Sequence, residues 1–95
     1  MHWKVQKLLS GETFITSEKG NSMTPKINNQ QKHKLTAITL NQVKVGDIVF
    51  CKVKGNYFTH LVTGINEKRG IQISNNHGHV NGWTKNVWGK VIEIY

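Results

Sequence analysis

Scarcity shapes the reading of this chain from the start. Among its 95 residues there is a single cysteine, Cys51, so no internal disulfide can staple the fold and a metal site built on several thiolates is excluded. There is one proline, Pro25, and one aspartate, Asp47. Asp and Glu together number five against 13 Lys and Arg, a formal charge of +8. No apolar run approaches the roughly 20 residues that a bilayer-spanning helix needs, and the opening Met1-His2-Trp3-Lys4-Val5-Gln6 lacks the apolar core of a secretory signal. The expectation is a soluble, intracellular protein of the cytoplasm (the host cell's, if the source is viral) with no membrane partner. At this length the chain forms one domain, residues 1–95, with one modest core.

The positive charge favours phosphates, nucleotides, nucleic acid or acidic proteins as partners. It also serves simply to keep a small domain soluble, and the basic residues are spread along the chain without forming one run.

What is present is mostly β signal. Trp3–Leu9 alternates loosely and reads as a strand or a short helix, and Gly11–Thr16 reads as a strand after a turn. Asn28–Lys34 is polar throughout and reads as an exposed loop, so His33, like His2, is expected at the surface. Beyond it come apolar runs at Ala37–Leu40, Gly46–Val53, Tyr57–Val62, Ile71–Ile73 and Val87–Tyr95. Lys54-Gly55-Asn56 suits a hairpin between the second and third, and Glu67–Gly70 suits another turn. Short strands at this spacing predict a mainly β fold, a compact antiparallel sheet or partly closed barrel. Ser74–Trp83 stands apart: Asn75, Asn76, Asn81, His77, His79, Gly78, Gly82 and Trp83 give it more hydrogen-bonding capacity than a turn requires, although a long loop with Asn and Gly at left-handed positions explains the same composition.

A serine hydroxyl becomes a nucleophile only when a base removes its proton, and Ser22 on its own is a turn residue before Pro25. Its surroundings change that. Gly20-Asn21-Ser22-Met23-Thr24-Pro25, followed by Gly46-Asp47-Ile48-Val49, resembles the Gly-x-Ser-Met-x-Pro and Gly-Asp-Ile-Val signatures of the clan that contains LexA-type repressors and signal peptidases. The closing Trp88-Gly89-Lys90-Val91 resembles the clan's Gly-Lys-Val strand, so the likeness covers residues 12 to 95. The length also resembles that of short phage-encoded members.

The resemblance implies a fold like the LexA C-terminal domain or signal peptidase, Ser22 as nucleophile, His60 at the base position, a peptide or protein substrate, and a homodimer formed through terminal strands. His-type members orient the base with an Asp; this chain has Ile73-Ser74-Asn75-Asn76 there, leaving Asn76 or Asn81 to orient His60 and implying weak or lost activity. Only 21 residues precede Ser22, too few for a repressor's DNA-binding domain, and no membrane anchor of the signal-peptidase kind is present.

The same residues suit two other uses. His60, His77 and His79 form a three-His set, but with no acid nearby to serve as a further ligand, no metal and no cofactor is expected. The second is a binding module, with Asn75, Asn76, His77, His79 and Asn81 donating to an anionic nucleotide-type small molecule or single-stranded nucleic acid and Trp83 or Trp88 stacking on a base, although Trp88 also reads as core.

Overall fold

A computed structural model describes all 95 residues. Trp3–Leu9 forms helix α1, followed by strands β1 (Phe14–Thr16), β2 (His33–Ala37), β3 (Ile48–Val53), β4 (Asn56–Asn66), β5 (Gly70–Ser74), β6 (Val80–Thr84) and β7 (Val87–Ile94). All seven strands join one antiparallel sheet in the order β1-β2-β7-β3-β4-β5-β6. The expected mainly β, compact antiparallel architecture is therefore present. The sheet is curled but does not close, since β1 and β6 remain its two edges.

Period-two alternation explains how both faces are buried. Val49, Cys51 and Val53 of β3 point to one side, where they pack with Val62, Ile71 and Ile73 and with Val43 and Val87. Phe50 points to the other side and packs with Leu35 and with Val5 and Leu8 of α1. The first segment is a helix because Val5 and Leu8, three positions apart, place one apolar stripe on this face. His2 caps it, its Nδ1 accepting from Lys4 N at 3.1 Å, and Gly11 at φ +79° ends it. Gly89 of β7 lies directly beneath Leu8, where a Cβ would stand 2.7 Å from Leu8 Cδ1.

The Gly-Asp-Ile-Val and Gly-Lys-Val motifs prove to be joined. Gly46 takes φ +98°, Asp47 Oδ2 accepts from Lys44 N at 2.9 Å, and Asp47 Oδ1 pairs with Lys90 Nζ at 3.2 Å. Val62 N donates to the Asp47 carbonyl at 2.8 Å, which ties this turn to β4 two residues beyond His60.

Several expectations need correction. Asn28–Lys34 is not loop throughout, since His33 and Lys34 begin β2, and the run Ala37–Leu40 is where β2 ends. His33 is not at the surface: it is 1% exposed, held among other polar groups that take up its hydrogen-bonding capacity less than fully. His2 is half-buried as a helix cap. The stretch 74–83 is loop only at 75–79, because Val80–Thr84 pairs with β5.

Candidate functional site

Ser22 sits in an irregular turn that many contacts hold in place. Gly20 N donates to Asn29 Oδ1 at 2.8 Å, Thr24 N to the Asn21 carbonyl and Ile27 N to the Met23 carbonyl. Met23 and Ile27 are buried, anchoring the turn to the body while Ser22 stays exposed. From the other side the 75–79 loop clasps the same turn. Asn76 N donates to the Ser22 carbonyl at 2.8 Å, and Asn76 Nδ2 to the Thr24 carbonyl at 2.9 Å. The Nε2–H of His77 is shared between the Asn21 carbonyl at 2.9 Å and the Thr24 hydroxyl oxygen at 3.0 Å. The loop in turn is braced by Asn75 Oδ1, which accepts from His77 N and His79 N.

The result is that Ser22 Oγ lies 3.0 Å from His60 Nε2, and His60 Nδ1 lies 2.7 Å from Asn81 Oδ1. An amide oxygen can only accept, so Nδ1 carries the ring proton and the Nε2 lone pair faces the serine hydroxyl. His60 is on β4, paired with Val49 of β3. Its ring stacks on Phe58 two residues away, with centroids 4.6 Å apart and planes 24° from parallel. Burial moves its pKa below the ordinary histidine value, opposed by the Asn81 hydrogen bond and the Glu18 charge. The ring is therefore a neutral acceptor at neutral pH.

Asn81 reaches His60 through a local irregularity. Ile73 pairs with Gly82 but its neighbour Ser74 pairs with Val80, which makes Asn81 the extra residue of a β-bulge on β6. The curl of the sheet carries β6 over β3: Thr84 Oγ1 donates to the Lys52 carbonyl at 2.6 Å, and a Cβ on Gly82 would meet Val53 Cγ1 at 3.2 Å. Bulge and curl together aim Asn81 at the imidazole.

Beneath this trio is a buried polar cluster that sequence reasoning missed. Glu18 Oε1 receives the Lys4 ammonium at 3.1 Å and the Thr59 hydroxyl. His33 Nε2 stands 3.5 Å away, an ion-pair distance at which it makes no hydrogen bond. Burial pushes the Glu18 carboxyl upward, but the contacts from His33, Thr59 and Lys4 outweigh it and bring the pKa to about 2. The available signal was that Glu18, one of five acids, directly precedes the Ser22 turn. A cleft of about 170 Å³ opens beside the pair, lined by Met23, Ile27, Tyr57 and Phe58 and by polar groups that include Glu18, Lys19 and Ser22.

Other expected participants lie elsewhere or are otherwise engaged. His77 and His79 do not join His60 in any cluster of three metal-ligating side chains. Trp83 carries the Arg69 guanidinium over its ring at 4.8 Å, and Trp88 packs against Phe50 and Tyr57. No helix is long and apolar enough to cross a membrane. Compared with family models, with curated proteins and with solved structures, the chain matches none of them.

Proposed function

We propose that this chain is a serine hydrolase of the peptidase type, with Ser22 as nucleophile, His60 as general base and acid, and Asn81 holding the imidazole. The observation that carries the proposal is the continuous hydrogen-bond relay from Ser22 Oγ to His60 Nε2 and from Nδ1 to Asn81 Oδ1. The resemblance to LexA-type repressors and signal peptidases favours the same reading and makes a peptide the substrate.

The chemistry is two acyl transfers. Ser22 Oγ attacks a carbonyl carbon as its proton passes to His60 Nε2, and the carbonyl oxygen becomes an oxyanion. The N–H groups of Ser22 and Met23 have no acceptor within the chain and are free to receive that charge. His60 then gives its proton to the leaving amine as the carbon–nitrogen bond breaks. Water, deprotonated by the same imidazole, hydrolyses the Ser22 ester and restores the hydroxyl. Asn81 fixes the tautomer but brings no negative charge, so the imidazolium is stabilised less than a carboxylate would stabilise it, and turnover is slow.

A fluorophosphonate probe, which phosphonylates only an activated serine, tests the assignment. Ser22 is expected to be modified in the native protein, with labelling lost in Ser22→Ala and reduced by about three orders of magnitude or more in His60→Ala. Native protein that labels no faster than Ser22→Ala overturns the assignment. The cleft as a holder of nucleotide-type anions is then the surviving reading, measurable as thermal stabilisation by nucleotides. The present geometry gives that alternative less support, because Asn75, Asn76, His77 and Asn81 are already engaged within the protein.

A further inference from the structure

We propose that the cleft beside Ser22 is a specificity subsite for a substrate side chain ending in a neutral hydrogen-bond donor, an amide or hydroxyl, which Glu18 Oε2 accepts. The inference rests on the Ser22–His60 reading and names the substrate class for that site: peptides cut after a residue of this kind.

The two oxygens of Glu18 have different surroundings. Oε1 is occupied by the Lys4 ammonium and the Thr59 hydroxyl, with His33 close by. Oε2 receives no hydrogen bond from the protein, and it is not among the buried polar atoms left without a partner. The side chain is 34% exposed and lines the cleft. Glu18 thus brings a carboxylate oxygen without a protein partner to a small space walled by Met23, Ile27, Tyr57 and Phe58 and by polar groups that include Lys19 and Asn28.

Charge narrows the choice of occupant. The carboxylate is already countered by Lys4, itself only 6% exposed. An incoming ammonium would meet Lys4 behind the carboxylate and Lys19 on the cleft wall, and an incoming carboxylate would pair with Lys19 only by coming up against Glu18. An aliphatic end would cover Oε2 without replacing the water it gives up. A neutral donor satisfies Oε2 without adding charge, and a hydrogen bond to an ionised acceptor is one of the stronger kinds.

Four peptidyl diphenyl phosphonates, identical except for a glutamine, norleucine, lysine or glutamate side chain next to the phosphorus, test this on the intact chain. Rates of Ser22 modification are read by mass spectrometry, with a small ethyl fluorophosphonate, which places nothing in the cleft, as reference. The glutamine probe is expected to react about tenfold faster than norleucine, with lysine and glutamate slower still. Glu18→Gln is expected to shrink the glutamine advantage, read as the ratio of the glutamine to the norleucine rate, severalfold, with circular dichroism reporting that the variant is folded. The native-protein comparison stands alone should Glu18→Gln fail to fold. Norleucine or lysine reacting as fast as glutamine overturns the subsite, as does an advantage undiminished in Glu18→Gln. Failure of the ethyl probe at Ser22 instead overturns the hydrolase reading beneath it.

Discussion

Asn81 is the residue on which the chemistry of the site turns, because it decides both which ring nitrogen of His60 is protonated and how well the ring bears charge. Exchanging its amide for a carboxylate in Asn81→Asp should raise the His60 pKa from its depressed position, since an ionised acceptor favours the imidazolium. The acid limb of the fluorophosphonate rate profile and the NMR titration of the ring should then move together to higher pH; movement of neither would show that the contact does not govern the base. Asn81→Leu, close in volume but without an acceptor, should cut the labelling rate by at least about tenfold because Nδ1–H loses its partner. In the proposed hydrolase the base is His60 in its neutral form, so fluorophosphonate labelling of Ser22 should hold as pH falls to the ordinary histidine value and decline only below it. Ser22 and His60 were legible in the sequence because each stands in or beside a short contiguous pattern. Between Asn76 and Asn81 the sequence offered no choice: Asn76 turned out to clasp the serine turn, and what selects Asn81 is a bulge opposite Ile73 and Ser74, a pairing between strands that no local pattern encodes.

Strand β6 bears the cost of aiming Asn81. Gly82 follows it at φ +139°, a conformation that side-chain-bearing residues rarely adopt, with Val53 close on its open side. Gly82→Ala should lower stability by about 1–3 kcal/mol in urea unfolding. It should also slow Ser22 labelling in the protein that remains folded, and unchanged labelling would separate the bulge from the site. On the opposite face, Gly89→Ala should drive a Cβ into Leu8 and cost about 1–3 kcal/mol. Combined with Leu8→Ala, its cost should be largely absorbed, a coupling that a double-mutant cycle measures. The strands that could be read in advance, β1, β3, β4, β5 and β7, are those whose runs carry Val, Ile or Phe. β6 was hidden by Asn81 and Gly82 in its middle, and the start of β2 by His33 and Lys34, whose polarity imitates a loop although His33 is buried.

Glu18 knits the molecule together across distant parts of the chain: Lys4 comes from α1, His33 from β2 and Thr59 from β4. Its carboxyl titrates near 4.5 when unfolded and at about 2 when folded. Its contribution is therefore complete above pH 4.5 and lost as pH falls from there toward 2. Allowing for solvent screening at its partly exposed side chain, the loss is on the order of 2 kcal/mol. Acid unfolding of Glu18→Gln should accordingly show a flatter pH dependence across that window, and a slope equal to the native one would remove Glu18 from this role. The one sequence signal was the scarcity of acids and the place of Glu18 just before the Ser22 turn; its partners could not be read, because polar residues are ordinarily assigned to the surface and this cluster exists only once helix and sheet have closed around it.

Strand β7 lies between β2 and β3 although it follows every other strand in the chain. Without it, β1 and β2 share no strand neighbour with β3 through β6, and the Ser22 turn is joined to the rest by the 75–79 loop and by the Glu18–Thr59 contact. A chain ending ahead of Val87 would hold Ser22 and His60 together by those contacts alone, without the ladder of β7 between β2 and β3. Of the seven strands the last to be synthesised is thus the one that turns two pieces tethered by loop and side-chain contacts into a continuous sheet.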